Sequence, residues 1–172
     1  IDADDIPDEQ QIDGSYDQRI KSALSMLRTN KEKYLTGENL ERYGPKMGAI
    51  LDNITNPEHR GLHLVYSQFR TLEGIGVFKL VLEANGFAEF KIKNTEQGWK
   101  LNVPIEDRGK PMFALYTGTE SAEEKEVVRN VYNGDWKFIS PSLEAELRQI
   151  SGDNKYGEII KGFEDGELSQ IT

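Results

Sequence analysis

Two short polar stretches carry the residue types best suited to chemistry, Tyr66-Ser67-Gln68-Phe69-Arg70-Thr71 and Tyr116-Thr117-Gly118-Thr119-Glu120-Ser121. Each follows an apolar run and leads into a helical pattern. A helix N-terminus exposes free N–H groups and a partial positive charge, so it can hold a phosphate. In the first stretch Ser67, Gln68, Arg70 and Thr71 would add donors. The plainer alternative is that Ser67 caps the helix and Arg70 is a surface cation. In the second, Gly118 lets the backbone approach a ligand, and Thr117, Thr119 and Ser121 present hydroxyls. Against this, Glu120, Glu123, Glu124 and Glu126 favour the helix dipole but repel a phosphate. Arg129 either offsets that charge or pairs with Glu126 or Asp135.

Other chemistries find no support in the residues. His59 and His63 are four apart, but Gly61 intervenes and His63 falls in a strand-like run, so no metal pair is expected. Gly109-Lys110 resembles the end of a phosphate-binding loop, yet Pro111 stands where Ser or Thr is needed and the upstream glycine is missing. Gly74-Ile75-Gly76 lies inside a helical pattern, where close packing explains it. Acidic residues are scattered, with no calcium loop, and no Ser/His/Asp set can be assembled. No catalytic residue and no metal ligand is assigned.

The elements that must position the two stretches can be read from periodicity. Residues 1–14 are acidic and aperiodic, which reads as a flexible arm. Ser15 with Gln18 is a capping-box pattern, and Ile20, Leu24 and Leu27 then share one helical face. Pro45 suits a first helical turn, followed by a stripe of Met47, Ile50, Leu51 and Ile54. Leu62, Leu64, Val65 and Tyr66 read as a buried strand, and the apolar run to Leu82 as a helix closed by Asn85-Gly86. Ala88, Phe90 and Ile92 alternate with charges, and Trp99, Leu101 and Val103 alternate after Gln97-Gly98, so 88–103 reads as a hairpin. Residues 112–116 read as another buried strand. Ser121 with Glu124 opens a helix that Asn133-Gly134 closes, and Ser140-Pro141 opens one more. Strand–helix–strand–strand–helix implies a parallel α/β core with a small β excursion, and both polar turns at one sheet edge.

Composition narrows the class. At 172 residues the chain suits one domain with a sizeable core. A net charge of −9 argues against nonspecific nucleic-acid binding by the whole surface, though not against a local rim. The absence of cysteine removes disulfides and thiolate metal sites and suits an intracellular setting. No signal peptide and no membrane-length apolar run is present, so no membrane partner is expected. Starting at Ile1, the chain reads as a piece of a longer protein.

Taken together, the two turns and their neighbours carry a family resemblance. The segment from Leu62 to Asn133 resembles the second RecA-like lobe of superfamily-2 helicases and translocases. The corresponding residues are Tyr66-Ser67-Gln68, Leu72-Glu73, Gly86, Thr117-Gly118-Thr119, Arg129 and Tyr132-Asn133. The wording of "HLVYSQFRTLEGIG" and "ALYTGTESAEEKEVVRNVYN" is most similar to helicase-type ATPases of large cytoplasmic DNA viruses. The likeness runs through residues 16–161.

The resemblance implies a RecA-like three-layer lobe with a mainly parallel sheet, a β-hairpin insert and a missing strand or two at the C-terminal end. It implies leading helices over 15–57, a lobe core over 58–161 and an acidic tail over 162–172. It also implies contacts to a DNA or RNA backbone from Ser67, Gln68, Arg70, Thr71, Thr117, Gly118, Thr119, Ser121 and Arg129. ATP and Mg²⁺ would belong to the parent protein and to a separate N-terminal lobe, in the cytoplasm or a virion. This chain has no phosphate-binding loop, Mg²⁺-binding acids or late arginine motif, so it is not expected to hydrolyse ATP alone. The alternative is a noncatalytic acidic module that docks a protein partner.

Overall fold

Helix α5 (Ile75–Ala84) is apolar round most of its circumference, so it must be covered, and Phe78, Leu80, Val81 and Leu82 are all buried. Its cover comes from helices earlier in the chain. Helix α1 (Glu9–Thr29) and the short α2 (Lys31–Tyr34) pack against it, and α3 (Gly37–Tyr43) packs on α2. Ile20 of α1, Leu35 just after α2 and Leu40 of α3 are buried. Gly86, with φ of 90°, provides the left-handed residue just past the end of α5.

A computed structural model describes residues 9–59, 61–69, 74–116, 118 and 120–150. The chain divides into two units, one of Ile1–Ala49 with Tyr66–Ala84 and one of Ile50–Val65 with Asn85–Thr172. Helix α4 (Pro45–Thr55) begins at the proline, as expected, and the division falls within it. Helix α5 therefore groups with the leading helices and not with the segment after residue 85.

The second unit holds all the β structure among the described residues. Strand β1 (Ala88–Glu89) pairs in parallel with β4 (Met112–Phe113), with Ala88 opposite Met112. Strands β2 (Ile92–Thr95) and β3 (Gly98–Leu101) form an antiparallel hairpin shorter than the one expected over 88–103, since Ala88–Glu89 pairs with β4 instead. Its tight turn uses Gly98 at φ of 95°, and the Thr95 hydroxyl donates to the Gly98 carbonyl at 2.7 Å. Parallel strands need a long connection, and here the hairpin and the following loop supply it in place of a helix.

Helix α6 (Ala122–Tyr132) and helix α7 (Pro141–Ile150) close the core. Ile92 and Leu101 of the hairpin, with Phe90 and Val103 flanking it, meet Val128 and Val131 of α6 and Leu143 and Leu147 of α7. Helix α7 is also tied to β3 by polar contacts. The hydroxyls of Ser140 and Ser142 donate to the Trp99 carbonyl at 3.3 and 3.2 Å. The Glu146 carboxylate accepts from the buried Leu101 amide at 2.9 Å. Glu146→Ala would leave that amide without an acceptor at a cost of about 2 kcal/mol, while Glu146→Gln keeps one and is expected to be near neutral. Urea unfolding of the two variants side by side checks this.

Three sequence expectations change. Residues 62–66 are not a strand: Leu64 is 96% exposed and Tyr66 87% exposed. A short apolar run has the same period whether it enters a sheet or stays outside one, and β1 takes β4 as its partner. Helix α1 starts at Glu9 and runs through Ser15, so residues 9–14 are helical and the capping pattern at Ser15 goes unused as a start. The run 112–116 is a strand only at Met112–Phe113, half-buried at both positions. The architecture is mixed helix and strand with one small parallel pair and one small hairpin. The expected tail at 162–172 lies outside the described residues. No helix among the described residues is long and apolar enough to cross a membrane.

Candidate functional site

The carboxyl ends of the two parallel strands open on a crevice of about 310 Å³. Residues 89–92, from the last residue of β1 to the first of β2, form one wall, and residues 114–116, just past β4, form another. Glu120, Glu124, Lys125 and Val128 close it from the turn and the first two turns of α6. Open α/β sheets place ligands at such strand ends, because the backbone there turns away and leaves a cleft.

The floor is apolar, from Phe90, Ile92 and Val128, and the rim is mixed in charge. Glu89 and Lys91 pair at 2.8 Å. The Lys125 ammonium has no ion pair among the described residues, and Glu120 and Glu124 lie on the same side. The crevice therefore suits a donor-bearing or cationic group better than a bare phosphate.

Tyr116 stands at the edge of the crevice, 55% exposed, with its hydroxyl 3.4 Å from the Lys125 carbonyl, a long contact. Burial raises its phenol pKa, Arg129 lowers it, and Glu120 raises it again. The Tyr132 ring meets Phe90 edge-on, 5.7 Å between centroids. Its hydroxyl is buried with no hydrogen-bond partner among the described residues. Burial, with the neighbouring Tyr116, drives the Tyr132 pKa far above the usual phenol range. Both phenols stay neutral through the physiological range.

Gly118 adopts φ of 92°, and its N–H donates to the Glu120 carboxylate at 3.0 Å. A carboxylate of the turn itself thus holds the amide that an incoming phosphate would use. Ser121 is the N-cap of α6, its hydroxyl accepting from the Glu124 amide at 3.1 Å, so it is engaged in capping the helix start. Arg129 is exposed and lies 3.7 Å from Glu126, one of the two partners the sequence allowed. Thr117 and Thr119 lie outside the described residues.

The first stretch has a different local structure from the one expected. Ser67 does not cap α5, which begins at Ile75. Its hydroxyl instead closes a local turn, donating to the Phe69 carbonyl at 3.0 Å and accepting from the Phe69 amide at 3.2 Å. The Ile75 amide reaches back to the same carbonyl at 3.1 Å. Gln68 is exposed. Arg70 and Thr71 lie outside the described residues. Ser67 and Gln68 fall in the first unit, whereas Gly118, Ser121 and Arg129 fall in the second.

Glu89, Lys91, Tyr116 and Lys125 are crevice residues that sequence reasoning passed over. Lys91 and Glu89 had been legible only as the polar half of an alternating strand, and Tyr116 as the end of an apolar run. Trp99 is packed against the core, with its indole N–H donating to Glu123 at 3.1 Å, in keeping with a packing role. His59 places its Nδ1 3.2 Å from the Asn53 carbonyl at the end of α4. No group of metal-ligating side chains exists among the described residues. The chain matches no protein-family model, no curated protein and no solved structure.

Proposed function

We infer that this chain is the second RecA-like lobe of an ATP-dependent superfamily-2 helicase or translocase, of the kind found in large cytoplasmic DNA viruses. The observation that supports the reading is the run from β4 through Gly118 and Ser121 into α6, a turn-to-helix connection at the carboxyl end of a parallel strand pair. This adds to the resemblance carried by the two polar turns. In this role Ser67, Gln68, Arg70 and Thr71, with Thr117, Gly118, Thr119, Ser121 and Arg129, contact the phosphates of a DNA or RNA strand. Such contacts are sequence-independent, as a motor that moves along a strand requires.

ATP and Mg²⁺ would bind chiefly to a separate first lobe, and the residues here do not fit them. Lys110, in the loop that most resembles a nucleotide cradle, is ion-paired with Asp107 and followed by Pro111. No chemical step is therefore assigned to this chain.

The test is a titration with single-stranded oligonucleotide at low salt. Arg70→Ala is expected to remove most binding, and the remainder to fall steeply with salt. Glu120→Ala, which frees the Gly118 amide and removes a repelling charge, is expected to tighten binding by about threefold at low ionic strength. No binding, or binding indifferent to both changes, rejects the lobe reading. One observation favours the other reading, a protein-docking module: Leu64 and Tyr66, which a lobe strand would bury, stand in solvent.

A further inference from the structure

In an acidic chain, residues 28–46 run the other way. Arg28, Lys31, Lys33, Arg42 and Lys46 outnumber Glu32, Glu38 and Glu41. Within this stretch α2 and α3 bring two tyrosines together: the Tyr34 and Tyr43 rings meet edge-on, 5.5 Å between centroids and 72° between planes. The Lys33 ammonium sits 5.1 Å from the centre of the Tyr34 ring, and the Arg42 guanidinium 5.7 Å from that of Tyr43. Tyr43 is 58% exposed, and Lys33 and Arg42 are exposed beside it.

Among the described residues some cations are drawn into surface salt bridges, and others, Lys125 and Lys137 included, are not. Lys79, Lys91, Lys110, Arg129 and Arg148 each pair with a carboxylate. Neither Lys33 nor Arg42 does so among the described residues, although glutamates flank both in sequence. Two cations held over aromatic faces, with no acid drawing off their charge, present a positive surface with an open ring face or edge. A cation over an exposed ring gains little by itself, so the arrangement leaves most of its electrostatic capacity for a partner.

We propose that Lys33, Tyr34, Arg42 and Tyr43 form a contact site for single-stranded nucleic acid on the first unit. The exposed Tyr43 ring stacks on a base, and Arg42 and Lys33 meet the adjoining phosphates. Aromatic platforms interleaved with basic side chains bind single strands in this way, since every base offers a π-face and every linkage a charge. The site uses none of the residues of the two polar turns and does not depend on the lobe reading.

The test uses the whole chain and a fluorescently labelled oligothymidylate followed by anisotropy, with salt varied. The double variant Lys33→Gln, Arg42→Gln is expected to weaken binding about tenfold and to flatten the log K against log salt slope by about 1.4, the value for two phosphate contacts on a single strand. Tyr43→Ala is expected to weaken binding about tenfold and Tyr43→Phe to preserve it, because stacking needs the ring and not the hydroxyl. All these side chains are exposed or half-buried, and circular dichroism is the check that the variants fold. Wild-type binding that all three variants leave unchanged overturns the proposal. So does an absence of oligonucleotide binding, including the case in which the chain is retained on phosphatidylserine vesicles through the same residues. Arg70→Ala in the same assay separates the two ideas: loss there alone supports the lobe contacts and rejects this site, and loss with the Tyr43 variant alone does the reverse.

Discussion

Leu143→Ala is expected to lower the stability of the second unit by about 3 kcal/mol. Leu143 is fully buried on α7, in the cluster that joins that helix to the hairpin and to α6. Truncation removes the transfer energy of three carbons and leaves a hole that Leu101, Val131 and Ile139 can only partly fill. The chain's two tryptophans, Trp99 and Trp136, both lie in this unit, so their fluorescence reports its unfolding. With a urea dependence of about 2 kcal/mol per molar, the midpoint should fall by roughly 1.5 M. Leu64→Ser is the control: the side chain is 96% exposed, and the midpoint should move by no more than about 0.3 M. If Leu64 proves as costly as Leu143, residues 62–66 are covered and the extended segment has a partner.

Gly74→Ala is expected to cost about 2 to 3 kcal/mol in the first unit, for a different reason. A β-carbon at Gly74 would overlap the Phe69 carbonyl oxygen and the Ser67 hydroxyl. Neither can step aside cheaply. The carbonyl is backbone and accepts from the Ile75 amide at 3.1 Å, and the hydroxyl closes the turn at Phe69. The substitution must therefore break the link between the 67–69 turn and the start of α5. Faster hydrogen exchange at the Ile75 and Phe78 amides would register the loss. If Arg70 grips a nucleic-acid strand, the same variant should also weaken that grip, since the turn that leads to Arg70 would lose its anchor. Unchanged exchange at both amides would mean that the turn and the helix start are not coupled.

Helices and the hairpin were readable because their signals are local. Pro45, Ser121 with Glu124, Asn133-Gly134 and Ser140-Pro141 mark ends through sterics and hydrogen bonds that span four residues or fewer, and α4, α6 and α7 begin or end where they stand. The alternation of Ala88, Phe90 and Ile92 likewise fixed which side of the β excursion is buried. At the candidate site the cap formed by Ser121 was legible for the same reason. Glu120 folding back onto the Gly118 amide was not, because the acid reads equally well as a dipole partner or as solvated charge.

Local order in this chain follows from residue type and spacing, which set the helices, their caps and the amphipathic faces. Partners do not follow from these. Leu62–Tyr66 has the pattern of a buried strand and stays exposed, while α5 finds its cover on α1 and α2, far back along the chain. The Tyr34–Tyr43 pair and its two cations likewise exist only because α2 and α3 pack together. Burial and pairing depend on which surfaces compete for one another in three dimensions, and that competition leaves no mark within a short window of sequence.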